Sequence, residues 1–168
     1  KGEIEGSEVN IKHYIGEMYF LRAKNYLSKL ETFGDFPIIK NTLPDENEPL
    51  TQASKREPRH KVARFILEDL DQAIGLLTNN ISGGKNRITK NAALLLKSRA
   101  ALFEASWLTY HRGTALVPGG SGWPGKAEDI ADFNIDTEIA FFLKEAKEAA
   151  KEVIGNAALM QNTAKDCM

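Results

Sequence analysis

The stretch Ala92-Ala93-Leu94-Leu95-Leu96-Lys97-Ser98-Arg99-Ala100-Ala101-Leu102-Phe103-Glu104-Ala105-Ser106-Trp107-Leu108-Thr109-Tyr110 decides the fold class of this chain. Ala93, Leu96, Ala100, Phe103, Trp107 and Tyr110 recur at steps of three and four, the spacing of one helical stripe. Leu94, Leu95 and Leu102 make the segment apolar nearly all round. That predicts the central helix, over about residues 89–112, with Leu96, Ala100 and Phe103 nearly inaccessible. His111 and Arg112 fall in its last turn, where cations suit the dipole, and Gly113 follows as a stop.

Three further helices flank it. Over about residues 11–33, Tyr19, Ala23, Tyr26, Leu30 and Phe33 share a face that Met18, Leu21 and Leu27 widen; Asn10 is the candidate N-cap, and Gly34 is placed for a left-handed close. Over about 59–77, Val62, Ile66, Leu70, Ala73 and Leu77 align, ending at Asn79 and Asn80. Over about 137–154, behind a cap at Asp136, the inner face is Ile139, Phe142, Leu143, Ala146, Ala150 and Val153. No strand pattern occurs, so the predicted class is all-α. Residues 34–58, with Pro37, Pro44, Pro49 and Pro58, and residues 113–135, rich in Gly and Pro, read as two long inter-helix loops.

The helices repeat. A slide of about 77 residues lays Phe20-Leu21-Arg22-Ala23 near Lys97-Ser98-Arg99-Ala100, and one of about 76 lays Phe65-Ile66-Leu67 over Phe141-Phe142-Leu143 and Ala73-Ile74 over Ala149-Ala150. Small residues at crossings with large ones on either side are the logic of tetratricopeptide-type antiparallel helix pairs, an α-α superhelix, here stretched by its Gly/Pro-rich loops.

Composition narrows function. The 168 residues carry 22 Lys and Arg against 23 Asp and Glu, a net charge of -1, so no global basic field exists to hold nucleic acid or an anionic membrane. No apolar run approaches the roughly 18–20 residues a membrane span needs. The single cysteine, Cys167, can form no internal disulfide and no cysteine-rich metal site. A start at Lys1-Gly2-Glu3 without Met and an end at Asp166-Cys167-Met168 just past a helix lead us to expect one helical region, 1–168, cut from a longer protein.

Catalytic constellations are missing. Gly120-Ser121-Gly122-Trp123-Pro124-Gly125 spells G-x-G-x-x-G, but no strand precedes it and no helix opens inside it, and Pro124 removes an N–H that a phosphate would want. His13, His60 and His111 lie in separate segments without metal-ligand spacing and read as surface or helix-end histidines. Glu68, Asp69 and Asp71, like Glu145 and Glu148, read as solvated helix faces rather than a glycosidase pair. Ser121 lacks a nucleophile elbow. Asn80-Ile81-Ser82 is a glycosylation sequon in form only. The expectation is no enzyme, no cofactor and no metal.

Trp123 stands apart. Flanked by Gly122, Pro124 and Gly125, it is not easily buried by its own segment, and an indole face is a stacking platform for a sugar ring. The alternative, which burial statistics favour, is that it docks its loop onto the helices. Trp107, on the stripe of the third helix, reads as core.

Several segments carry a family resemblance. They are Gly16-Glu17-Met18-Tyr19-Phe20-Leu21-Arg22-Ala23 running into Phe33-Gly34-Asp35-Phe36-Pro37-Ile38-Ile39, then Ile66-Leu67-Glu68-Asp69-Leu70-Asp71-Gln72-Ala73-Ile74, then Asn86-Arg87-Ile88-Thr89-Lys90-Asn91-Ala92-Ala93, and then Leu96 to Ala105. In this order, over about residues 16–112, they resemble the SusD/RagB family of surface glycan-binding lipoproteins, with Asn86 where Gly is usual and Ser98 where Ala is usual. The resemblance implies the tetratricopeptide-like part of a longer chain with an upstream signal peptide and lipid-anchoring cysteine, at the outer-membrane cell surface. It also implies non-enzymatic capture of oligosaccharide and delivery to a TonB-dependent, SusC-like transporter.

Of the matching residues, Gly34, Asp35 and Pro37 suit a helix end, a hydrogen-bonded turn and a fixed exit. Arg22, Arg87 and Arg99 suit ion pairs or carbonyl contacts between helices rather than ligand binding. The competing reading is a stand-alone tetratricopeptide module that binds a peptide or protein partner.

Overall fold

The computed structural model describes residues 6–80 and 86–156. Cys167, the two chain ends, and Ile81 and Ser82 of the sequon lie outside the described residues. Among the described residues five α-helices follow in order: α1 (Glu8–Phe33), α2 (Asn47–Ala53), α3 (Arg59–Leu76), α4 (Lys90–Tyr110) and α5 (Ile135–Asn156), with a 3-10 turn at Ala127–Ile130 before the last.

Each main helix starts where a side-chain oxygen is on hand for an orphan amide. Ser7 rather than Asn10 caps α1, its hydroxyl accepting from the Asn10 N–H at 3.3 Å. Thr89 caps α4 through the Ala92 N–H. At α5 the cap is Asn134, which accepts from the Thr137 N–H at 3.0 Å; Asp136 sits inside the first turn and pairs with Arg112. Proline precedes α3, and its cap comes from far away: Asp35 Oδ1 accepts the Arg59 N–H at 2.8 Å. Gly34 closes α1 at φ +71°, its N–H returning to the Leu30 carbonyl at 3.0 Å.

The chain packs as two antiparallel pairs. Asp35, just past α1, touches the start of α3, while His13 and Gly16 near the start of α1 meet Thr78 and Leu77 at the far end of α3. Lys90 at the head of α4 pairs with Glu152 in the tail of α5. Helix α3 also packs against α4, so the order in space is α1, α3, α4, α5. The all-α expectation holds: the only pairing among the described residues outside helices is the bridge between Phe36 and Glu57. No described helix is long and apolar enough to cross a membrane.

The buried set includes Ala23, Leu27, Leu30, Val62, Ile66, Leu70, Ala100, Ala101, Ala105, Leu108, Phe142 and Ala146. Several sequence expectations are corrected here. Helix α4 is not apolar-buried all round: it turns its alanines to α3 and α5, so Leu96 and Phe103 are only half-buried and Leu95 and Leu102 are exposed. On α1 the buried line runs through His13, Glu17, Ala23, Leu27 and Leu30, which leaves Met18, Leu21 and Phe33 outside it. On α5, Leu143 is exposed, and Ala149 is buried in its stead.

The two connections also differ from open loops. Pro49 sits in the first turn of α2, where a missing N–H costs nothing, so a proline read as a breaker belongs to a helix. Residues 113–123 wind through successive turns, with the Ser121 N–H on the Gly113 carbonyl at 2.9 Å. The chain doubles back so closely that a Cβ on Gly120 would lie 2.0 Å from the Thr114 carbonyl oxygen. That is why glycines crowd there.

Candidate functional site

Both long connections leave the same end of the bundle, and there they meet over a cavity of about 500 Å³. Its wall includes the end of α1 (Leu30 to Asp35), Arg56 and Arg59 at the approach to α3, Trp107 of α4, and Trp123 to Lys126 of the second loop.

Asp35 joins the two connections. One oxygen accepts the Arg59 N–H and the other accepts the Trp123 indole N–H, each at 2.8 Å. Trp123 thus docks its loop onto the helical body while lining the cavity. One part of the sequence reading is corrected: the Trp-Pro-Gly turn does cover its own indole, since a Cβ on Gly125 would lie 2.2 Å from two carbons of the six-membered ring. Gly125 lies against that ring, and Trp123 stands half-buried in the cavity wall.

Below lies a fully buried charge pair. The Arg59 guanidinium grips Glu104 with Nε to Oε1 at 3.0 Å and Nη2 to Oε2 at 2.7 Å, and its plane sits 4.4 Å from the Trp107 ring centre. Burial pushes the Glu104 carboxyl up, and the guanidinium opposes that shift. The Trp107 indole N–H donates to the Leu116 carbonyl at 3.1 Å, so Trp107 is half-buried cavity wall rather than sealed core. Lys55 and Asp129 close the rim at 2.8 Å, and the neighbouring ammonium holds the Asp129 carboxyl below its usual range.

The remaining motif residues lie elsewhere. Arg22 clasps Asp69 through two bonds of 2.7 Å, tying α1 to α3. Arg87 clasps Glu17 through two bonds of 2.8 Å, and the Ile88 N–H adds a third to the same carboxylate. The Arg87 guanidinium keeps the Glu17 carboxyl low. Arg99 is exposed and makes no hydrogen bond or ion pair among the described residues. Pro37 lies half-buried just past the Phe36–Glu57 bridge.

The solvated-surface readings hold only in part: Glu68, Asp71 and Glu148 are exposed, whereas Asp69, His13 and His60 are buried. Asp69 is buried with Arg22, and Asp71 and Glu145 both hold the Lys97 ammonium at 2.6 Å. His13 and His60 are buried, each with one ring nitrogen that makes no hydrogen bond among the described residues; that of His13 lies 3.7 Å from Glu17 Oε1. His60 packs on Phe133 at 4.6 Å, and burial pushes its imidazole down to about 4. No cluster of three or more His, Cys, Asp or Glu among the described residues could hold a metal ion.

Sequence reasoning missed Arg56, Arg59 and Glu104. The one local signal was Glu104 itself, a lone carboxylate in the apolar run from Ala100 to Leu108, which can only be buried with a cation.

A family model described as SusD-like, starch-binding associating with the outer membrane, matches residues 3–102. The crystal structure of a SusD-like protein from Bacteroides fragilis is similar, at 31% identity over 61% of this chain and 20% of its own, with a TM-score of 0.54. A second crystal structure covers 93% of this chain and 25% of its own at a TM-score of 0.54; at 23% identity it speaks to fold alone. No curated protein matches. The chain therefore spans about a fifth to a quarter of the solved chains it matches. With a family model matched over more than half of its residues, the chain belongs to the SusD-like family, described as starch-binding and associating with the outer membrane.

Proposed function

We propose that this chain is the helical scaffold of a non-enzymatic glycan-binding protein, lipid-anchored at the cell surface, that works with a TonB-dependent, SusC-like transporter in oligosaccharide uptake. The observation that carries this reading is how the motif residues are spent. Arg22, Asp35 and Arg87 give their charges to other parts of the same chain, and Gly34 gives its positive φ to a helix end. Such residues hold shape and leave little to grip a ligand.

Sugar contact within these residues falls to the cavity and to the Trp123 indole that lines it. One stacking contact of about 1 kcal/mol implies millimolar affinity or weaker. Asp35 and Asp129 in the wall and Glu104 below it already hold internal partners, which leaves Glu31 as the lining acid without a partner among the described residues; a single such carboxylate is not the pair that hydrolysis needs. Chemical-shift titration of the 168-residue chain with a panel of oligosaccharides tests this. Weak binding that fades in Trp123→Ala is expected. Micromolar binding that survives Trp123→Ala would overturn the scaffold assignment, and turnover of any glycan would overturn the binding-protein reading.

A further inference from the structure

The cavity at the loop end holds several charges, but most are already committed. Asp35 has given both oxygens to N–H donors, Asp129 is held by Lys55, and Arg59 and Glu104 hold each other. Both indole N–H groups are engaged as well, one by Asp35 and one by the Leu116 carbonyl. What lines the cavity with its hydrogen-bonding capacity unspent is therefore a short set. Arg56 and Glu31 are exposed and make no hydrogen bond or ion pair among the described residues. Among the described residues the Lys126 ammonium reaches only Glu128, at 3.4 Å, with both side chains mostly in solvent. The uncommitted charge is two cations against one anion, beside an aromatic face.

We infer that this cavity selects acidic over neutral oligosaccharides, taking the ring carboxylate of a uronic acid on Arg56 with Lys126 beside it. The inference rests on the reading of the cavity as the sugar contact of this chain. A guanidinium matches a planar carboxylate through two parallel N–H bonds, which no neutral hydroxyl reproduces. The same sugar ring presents an apolar face to the Trp123 indole in the cavity wall. Its hydroxyls donate to Glu31 and to the terminal carbonyls of α1, whose helix end favours donors and not anions. The chain as a whole carries a net charge of -1, so any preference for an anionic ligand must come from this local arrangement and not from bulk attraction.

The test compares tetragalacturonate with its fully methyl-esterified form, which keeps the rings and removes the charge, by chemical-shift titration of the 168-residue chain. We expect the acid to bind at least fivefold more tightly at low salt, with the gap closing in 0.5 M NaCl. Arg56→Gln should bring the acid to the level of the ester, while Arg99→Gln, an exposed arginine outside the cavity, should leave the gap intact. Trp123→Ala should weaken both ligands. Helical circular dichroism checks that each variant folds, and Arg56, exposed and unbonded, is a mild substitution. Equal affinity for acid and ester, both lowered by Trp123→Ala, would overturn the charge selection and leave the sugar contact standing. A preference untouched by Arg56→Gln would overturn it too. No binding of either ligand, or binding indifferent to Trp123→Ala, would remove the cavity as a sugar contact and the inference with it.

Discussion

The pairs α1/α3 and α4/α5 are offset copies of one apolar crossing, yet they are tied by different charges. Ile66 and Phe142 occupy equivalent positions and are both fully buried, as are Ala73 and Ala149 to within a few per cent. Asp69 and Glu145 are equivalent too. In the first pair Asp69 receives two bonds from Arg22 of the facing helix. In the second, Arg99 stands where Arg22 would be and is exposed, while Glu145 takes Lys97, which also holds Asp71 of α3. The repeated part is what apolar packing requires; the polar ties are rebuilt at each site. The first pair's clasp stays within the pair, whereas in the second Lys97 holds Glu145 within the pair and Asp71 of the neighbouring pair as well.

The largest expected effects bear on the shared crossing and on the seam between the pairs. Phe142→Ala should cost about 3–5 kcal/mol and Ile66→Ala about 2–5 kcal/mol in urea unfolding. A loss under about 1 kcal/mol at Phe142 would mean that the second pair does not copy the first. Half-buried Phe103 should cost less than Phe142. At the seam, Glu104→Ala leaves Arg59 charged, buried and alone, for about 3–5 kcal/mol. Replacing both by apolar residues of similar size should recover most of that loss; failure to recover any would show that packing, not charge, sets the cost.

An intermediate effect comes from acid. In the unfolded chain His60 takes its proton near 6.5, and in the fold only near 4. Between those values the unfolded chain holds more protons, so stability falls as the pH falls, by about 2 kcal/mol from pH 7 to pH 5. His60→Gln should flatten that slope in thermal melts; an unchanged slope would place the acid sensitivity elsewhere.

The smallest effect compares the two clasps. Asp69→Ala removes the two bonds Arg22 makes to it but leaves the one to the Lys40 carbonyl, and the guanidinium is 34% exposed and can rehydrate, so about 1–2 kcal/mol is expected. Glu145→Ala leaves Lys97 on Asp71 and should cost under about 1 kcal/mol. The reverse order would mean that Lys97 depends on Glu145 and that the seam bond to Asp71 contributes little.

What could be read in the sequence follows the range of the forces involved. The period of three and four along Val62, Ile66, Leu70 and Ala73 is local, and α3 lies where that period puts it. Gly34 at positive φ is equally local. Helix α2 escaped because Pro49 reads as a breaker unless its place in the first turn is known. Met18, Leu21, Leu95 and Leu102 fit a helical face, but which arc of an apolar helix meets its neighbour is settled by the neighbour. Burial of His13, His60 and Asp69 depended likewise on partners dozens of residues away. At the cavity, Trp123 and Asp35 were each singled out for separate reasons. Their bond spans 88 residues, and nothing in either segment announces it. Arg59 with Glu104 is the same case across 45 residues.

Asp35 also makes one motion audible from a distance. Its two oxygens are committed to the first amide of α3 and to the indole of the far loop, so the carboxylate cannot turn toward one without slackening its hold on the other. If the loop lifts and carries Trp123 away, the side chain gains a rotor, and the Arg59 amide spends part of its time without an acceptor. Deuterium uptake at that single amide would then count the openings of a loop it never touches.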